Sequence, residues 1–193
     1  DMIYHMSLPE GKYEFVSNAS ENIFGYTPEE FYTNPILIQN IIHPDWQDYF
    51  KTEWEKLLKG EMPPYYEYQI IHKSGEERWV NQRNVLIKNE DGLPIAIEAI
   101  VTNITERKQA EDQLQLLLDT TVEGIYGIDT NGRTTFVNPA AAKMLGYPPE
   151  ELVGKENHVL IHHTHSDGRH YPADECKLLQ VLKGGSLTTV DDE

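Results

Sequence analysis

The 193-residue sequence has one cysteine, half as many basic as acidic residues, and no long apolar run. The single cysteine, Cys176, excludes a disulfide within the chain and favours a reducing compartment, so we expect a cytoplasmic location. Sixteen basic against thirty-two acidic residues give a net charge of −16, which repels phosphate backbones, and we expect no nucleic-acid partner. No apolar stretch approaches the roughly 20 residues that span a bilayer, and residues 1–11 lack the pattern of a signal peptide, so we expect no direct membrane insertion.

The chain repeats one segment, at position 11 and again at position 132. Residues 11–31, GKYEFVSNASENIFGYTPEEF, align without a gap with residues 132–152, GRTTFVNPAAAKMLGYPPEEL. The two copies share the glycine, the Phe-Val pair and the Gly-Tyr-x-Pro-Glu-Glu segment. This period exceeds the roughly 20 to 50 residues of solenoid repeats. The sequence therefore predicts two copies of one domain, at residues 1–104 and 122–193.

Five segments of the first copy have the β-branched and aromatic content and the bounding turns of strands. They are Met2–Ser7, Lys12–Ser17, Pro64–His72, Glu76–Lys88 and Leu93–Ile104. Between the second and third segments, Thr27 and Pro28 predict a helix N-terminus, and a longer helix is expected after Trp46. This order predicts an α+β fold, in which helices cover one face of a five-stranded antiparallel sheet.

Residues 105–121 change to a helical period and are predicted to link the two copies. Thr105 is the expected N-cap, with its hydroxyl accepting from a free amide of the first turn. One stripe of this helix holds mostly apolar residues, which favours packing between two copies of the chain as a homodimer. The predicted dimer contacts are Ala110, Leu114 and Leu117.

Three motifs resemble the PAS domain family. Residues 67–80, EYQIIHKSGEERWV, resemble the strand pair of one PAS variety, residues 41–45, IIHPD, its entry to the long helix, and residues 103–108, NITERK, its closing segment. Asn103 stands where the family has aspartate, which would weaken an ion pair between the last strand and the outgoing helix to a neutral hydrogen bond. The resemblance implies a sensory module upstream of an output domain in the same polypeptide.

The second copy has counterparts of the first hairpin and of the first helices, and a helix starting at Tyr171-Pro172 is expected over Ala173–Lys183. Counterparts of the last three strands are missing before position 193. We therefore expect a truncated second unit, cut from a longer protein, that is poorly ordered, swapped or paired with a neighbour.

A histidine-rich stretch in the second copy carries enough donor atoms for a metal site. Its members are His158, His162, His163, His165, His170, Asp174, Glu175 and Cys176. Because turn signals scatter them over a loop, we favour structural or surface roles and predict no metal.

Haem and flavin are both disfavoured. Residues 47–59 of the long helix contain no histidine that would bind haem, and the sequence has no Cys-x-x-Cys-His motif. Cys176 does not stand in the Asn-Cys-Arg-Phe-Leu-Gln context of a light-oxygen-voltage flavin sensor. A small metabolite remains a possible ligand.

Aromatic and polar residues of the first copy are candidates for the wall of a ligand pocket between sheet and helices. They are Tyr49, Trp54, Tyr68, Trp79, Asn81 and Glu98. Strand alternation divides them between two faces, and the sequence leaves open which face is inward and whether the space is open or a filled core.

The function hypothesis is a tandem sensor with no catalysis of its own, which binds a small ligand or partner. Asn103, Ile104 and Thr105 are predicted to couple the last strand to the linker helix, and the output domain is expected to be a histidine kinase. The alternative is a ligand-free dimerisation scaffold of a cyclic-di-GMP enzyme or chemoreceptor.

Overall fold

The computed structural model describes residues 1–34, 36–61, 65–165 and 167–184. The chain divides into two compact units between Ala110 and Glu111. Within the described ranges, no helix combines the length and the apolar character that crossing a membrane requires.

The first unit is built on a five-stranded antiparallel sheet, as the sequence predicts. Its strands are β1 (Met2–Ser7), β2 (Lys12–Val16), β3 (Tyr65–Ile71), β4 (Glu77–Lys88) and β5 (Pro94–Asn103). Their order across the sheet is β2-β1-β5-β4-β3, so the first and last strands lie side by side in its interior. Pro64, the predicted start of the third strand, lies outside the described residues.

Helices pack on one face of this sheet and close a single core. They are α1 (Ala19–Phe24), α2 (Pro28–Thr33), α3 (Leu37–Ile41) and α4 (Gln47–Leu58), with a 3-10 turn at Pro44–Trp46 between the last two. Phe24, Phe31, Ile41 and Leu57 from these helices are buried with the inward side chains of the strands. The sequence does not predict α3, because a five-residue helix is too short to show helical periodicity.

Thr27 and Gly25, two residues of the repeated segment, lie at helix ends as the sequence indicates. The Thr27 hydroxyl accepts from the backbone N–H of Glu30 and the Glu30 carboxylate accepts from that of Thr27, which confirms the helix start. Gly25 ends α1 with φ +81°, and a Cβ there would lie 2.6 Å from Lys73 Cβ. Gly146, its counterpart in the second copy, ends a helix in the same left-handed conformation.

A helix of 16 residues, α5 (Thr105–Thr120), follows β5 without a loop. None of its side chains is buried, and Leu114 and Leu117 are 60% and 67% exposed. Thr105 is the first residue of α5 and not the residue ahead of it, and its hydroxyl accepts from the backbone N–H of Trp79 on β4.

The described part of the second unit holds a two-stranded antiparallel sheet and short helices. Its elements are β6 (Tyr126–Ile128), β7 (Thr134–Val137), α6 (Pro139–Leu145), α7 (Pro149–Leu152), α8 (Asn157–Ile161) and α9 (Lys177–Gly184). The predicted helix start at Tyr171-Pro172 is wrong, since α9 begins at Lys177. The Tyr171 hydroxyl donates to Glu175 O at 3.1 Å and accepts from Lys177 N at 3.2 Å, so it holds a turn ahead of the helix.

Candidate functional site

A cavity of about 740 Å³ lies between the sheet and the helices of the first unit. Aromatic side chains form two of its walls. Tyr4, Tyr13, Phe31 and Phe24 are joined edge to face along one wall, and Phe50, Tyr66 and Tyr68 make ring contacts along another. The volume falls in the range of about 300 to 1,000 Å³ that small-molecule sites occupy.

The cavity is packed at its inner end and open at its rim. Tyr68 is 0% exposed, and Phe24 and Phe31 are each 1% exposed, so these rings leave almost no accessible surface. The rim is formed by the β1–β2 turn and by α3 and α4, where Trp54 and Gly11 lie together. The accessible part of the cavity is therefore the rim beside Trp54.

A buried amide connects two tyrosines on the floor of the cavity. Gln82 on β4 accepts from the Tyr68 hydroxyl at 2.7 Å and donates to the Tyr4 hydroxyl at 2.7 Å. Its second N–H donates to Asn84 Oδ1 at 2.8 Å. These bonds satisfy a side chain that is 4% exposed and would otherwise be costly to bury.

The phenols around Gln82 are neutral hydrogen-bond donors. Burial raises the pKa of Tyr4, Tyr13, Tyr66 and Tyr68, because a phenolate would lose its hydration in this apolar space. Neighbouring tyrosines raise the pKa of Tyr4 further. The inner cavity is thus polar without carrying a charge.

The structure brings together only some of the predicted ligand residues. Trp54 and Tyr68 line the cavity, whereas Tyr49 packs behind it against the rings of Phe50 and Tyr66. Trp79, Asn81 and Glu98 lie on the opposite face of the sheet. Register shows why, because Tyr68 is paired with Val80 and Tyr66 with Gln82, and paired residues share a face.

Tyr4, Tyr13 and Gln82 line the cavity but are not predicted from the sequence. Gln82 could have been predicted once Tyr66 and Tyr68 were assigned to the cavity. The turn at residues 73–75 fixes the register of β3 and β4, and this register places Gln82 opposite Tyr66. No comparable local signal identifies Tyr4 and Tyr13, which lie on β1 and β2 toward the other edge of the sheet.

The outer face of the same two strands holds the start of α5. The backbone N–H of Trp79 donates to Thr105 Oγ1 at 3.0 Å, and Ile104 N–H donates to Trp79 O at 2.9 Å. Asn103 Oδ1 accepts from the Thr105 hydroxyl at 2.7 Å and from Thr105 N–H at 2.9 Å. We call Trp79, Asn103, Ile104 and Thr105 the exit junction.

Glu67 on β3 adds two ion pairs beside the exit junction. Its carboxylate lies 2.6 Å from the Arg107 guanidinium and 2.9 Å from Lys108 Nζ. The Lys108 ammonium, followed by the Arg107 guanidinium, lowers the pKa of the Glu67 carboxyl. Glu67 therefore ties the first turn of α5 to the sheet at the position where Asn103 provides only neutral hydrogen bonds.

In the second unit, Asn138 holds the far end of α5. Its Nδ2 donates to Leu118 O at 3.0 Å and to Glu123 O at 2.9 Å. Its Oδ1 accepts from Ile125 N–H and Ala141 N–H, so one 3% exposed side chain joins α5, β6 and α6. The sequence analysis misses this residue.

The histidine-rich stretch lies mostly at the surface. His158 is its buried histidine, and the His158 Nε2 is 3.0 Å from Tyr171 O. Cys176 is a buried free cysteine. Among the residues that the structure describes, no group of three or more His, Cys, Asp or Glu side chains is placed to hold a metal ion.

Two family models, both described as PAS fold, match residues 13–101 and residues 112–185. Together they cover most of the chain, so the chain belongs to the PAS family and is a sensory region with two PAS matches. The resemblance carried by the sequence motifs is confirmed.

Two curated relatives are signalling proteins. The "methyl sulfide methyltransferase-associated sensor" of Methanosarcina acetivorans is 41% identical over 101 residues, which cover 50% of this chain and 10% of that protein. The "probable diguanylate cyclase DgcE" of Escherichia coli is 27% identical over 144 residues, which cover 65% of this chain and 13% of that protein. The chain thus spans about a tenth of the length of the curated relatives it matches.

Two solved structures share the fold. A sensory box histidine kinase/response regulator from Burkholderia thailandensis has a TM-score of 0.50 and 24% identity over 60% of this chain and 85% of that chain. The N-terminal domain of a diguanylate cyclase with PAS/PAC sensor from Marinobacter aquaeolei has a TM-score of 0.51 and 13% identity over 55% of this chain and 97% of that chain. At these identities the likeness supports the α+β fold alone.

Proposed function

We propose that the first PAS unit binds a small ligand in its cavity and that α5 relays the change toward an output domain. The observation that supports this proposal concerns neighbouring residues of β3 and β4. On each strand, one residue faces the cavity or the core and the residue before it contacts the start of α5. Tyr68 faces the cavity while Glu67 holds α5, and Val80 packs in the core while Trp79 binds Thr105. A ligand that moves the inner side chains displaces the same strands that hold the helix.

A relay requires two states that differ in affinity for the ligand. In the state described here the exit junction is closed by hydrogen bonds of 2.7 to 3.0 Å. In the second state Thr105 separates from Trp79, while the Glu67 ion pairs still hold the first turn of α5. Asn103, Ile104 and Thr105 are the coupling residues in this scheme.

A histidine kinase is the proposed output, and the parent protein would then be an enzyme although this region is not. The names of the relatives and solved structures support either a kinase or a diguanylate cyclase. We place the module in the cytoplasm as a homodimer, joined through Ala110, Leu114 and Leu117 of α5. The exposure of both leucines supports this contact, because an apolar stripe in water gains free energy when it is covered.

A ligand-free scaffold is the second candidate. The packed inner end of the cavity favours it, since Tyr68 and Phe24 leave almost no accessible surface. Such a scaffold would transmit a partner's state through dimerisation and would gain no stability from small molecules.

An absorption spectrum and native mass spectrometry of the purified protein distinguish the two candidates. The sensor predicts a bound mass, or a melting temperature that rises with a compound that enters the cavity. At about 100 times its dissociation constant, a ligand adds roughly 2.7 kcal/mol to the free energy of unfolding. A bare protein mass together with no stabilisation by any compound of a metabolite library would support the scaffold.

A further inference from the structure

We propose that the cavity selects neutral aromatic compounds that carry a hydrogen-bond acceptor such as a carbonyl group. This inference rests on the proposed ligand-binding function and adds the chemical class of the ligand. It follows from the charge, the free donors and the shape of the lining.

The charged residues of the described lining are Glu10, Lys51 and Glu53. Glu10 and Lys51 are exposed, whereas the Glu53 side chain is 11% exposed and its carboxylate lies 2.7 Å from Lys56 Nζ, which balances its charge. The buried part holds no cation that would pair with a carboxylate or phosphate, and burying an unpaired ion is costly. The net charge of −16 further disfavours anions.

Two buried hydroxyls of the lining have protons without an acceptor among the described residues. Gln82 has both of its N–H groups and its carbonyl in hydrogen bonds. The Tyr4 hydroxyl accepts from Gln82, and within the described chain its own proton has no acceptor. Tyr13, which is 5% exposed, makes no hydrogen bond through its hydroxyl to a described residue. A ligand that brings an acceptor satisfies these two protons, whereas a hydrocarbon leaves them unpaired.

The aromatic walls favour a flat ring. Tyr4 and Tyr13 meet edge to face with ring centroids 5.3 Å apart, and Phe50 meets Tyr68 at 4.3 Å. These distances show that the walls are packed aromatic side chains, with which an aromatic ligand that enters would make edge-to-face and stacked contacts. Trp54 at the rim would cover its outer edge.

Acetophenone, ethylbenzene and benzoate form a test series of similar size. Acetophenone has the ring and a carbonyl, ethylbenzene has the ring without an acceptor, and benzoate has the ring with a charge. Binding is measured by chemical-shift perturbation of the intact 193-residue protein and by quenching of tryptophan fluorescence. One net hydrogen bond corresponds to a preference for acetophenone over ethylbenzene of about five- to tenfold in dissociation constant.

Substitutions of the two donors test whether they cause the preference. Tyr4→Phe and Tyr13→Phe together are expected to reduce it to about one- to twofold while ethylbenzene binds as before. Tyr65→Phe, at an exposed tyrosine of β3 outside the lining, should leave the preference intact.

The results of this series distinguish the proposed ligand class from the proposed binding of a ligand in the cavity. If ethylbenzene or benzoate binds the cavity as tightly as acetophenone, the cavity still takes ligands and the proposed class is wrong. If none of the three perturbs residues of the cavity, the proposed class is contradicted, and native mass spectrometry with the metabolite library decides separately whether the cavity binds any ligand.

Discussion

The hydroxyl oxygen of Thr105 lies 3.0 Å from the backbone nitrogen of Trp79, and this hydrogen bond joins the first residue of α5 to β4. An exposed threonine at a helix start would ordinarily bond an amide of its own first turn. Here the hydroxyl serves a neighbouring strand, so the orientation of the helix depends on the position of β4.

Replacing Thr105 with valine should loosen this attachment while keeping the shape of the side chain. We expect a loss of about 1 kcal/mol in the free energy of unfolding, and faster amide exchange in the first turn of α5. Thr105→Ser should restore both properties. Thr102→Val is the matched control, because the Thr102 hydroxyl binds only the exposed Asp1 carboxylate at 2.8 Å.

In the parent protein, Asn103→Ala and Thr105→Val should each reduce the response of the output to its signal. Asn103 Oδ1 orients the Thr105 hydroxyl, so both changes act on the same bond. A full response from both variants would rule out the exit junction as the coupling element.

Replacing Glu67 with glutamine should reveal a pH-dependent contribution to stability. The Lys108 and Arg107 side chains lower the pKa of Glu67, so its carboxylate stabilises the fold fully above the ordinary glutamate pKa of about 4.3. That contribution disappears as the pH falls through the lowered pKa of the folded state. Wild type should therefore exceed Glu67→Gln by about 0.5 to 1 kcal/mol at pH 7, and the two should converge in more acidic solution.

Denaturant unfolding over this pH range measures the difference. Glu90→Gln, at an exposed glutamate in the turn before β5, is the control and should match wild type throughout. A wild-type advantage that persists unchanged below the pKa of Glu67 would show that the ion pairs are not its source.

The Tyr68 hydroxyl provides a test of the buried network. Tyr68→Phe leaves Gln82 Oε1 without its donor in a site that is 0% exposed at Tyr68, so we expect a loss of about 1 to 2 kcal/mol. Urea unfolding measures it. Tyr65→Phe, at a tyrosine that is 62% exposed, should change stability by less than about 0.5 kcal/mol. Equal stability of the two variants would contradict the hydrogen bond to Gln82.

Dimer formation should depend on the exposed leucines of α5. Leu114→Asp with Leu117→Asp should halve the mass seen in light scattering and leave the fold intact, because neither side chain is buried. Leu93→Asp, at a leucine that is 61% exposed near the start of β5, should not change the mass. A monomeric wild type at high protein concentration would contradict the predicted homodimer.

Sequence reasoning predicts the strands of the first unit well because alternation and turn residues act locally. It does not decide which face is inward, since Trp79 and Val80 are neighbours and both are apolar. The inward face is the one that the helices cover, so Trp79 lies on the outer face of the sheet and Gln82 on the inner face. The sequence predicts Thr105 as a coupling residue but not its partner, because Trp79 lies 26 residues earlier in the chain.

Hydrogen exchange at Ile104 to Lys108, with and without a compound bound in the cavity, tests the relay most directly. The compound is one that raises the melting temperature of wild type but not of a Trp54→Ala variant, so that its site is known. We predict that binding changes the exchange of these amides in wild type and that Thr105→Val abolishes the change. Tight binding in the cavity with unaltered exchange at these amides would contradict a link between the cavity and α5.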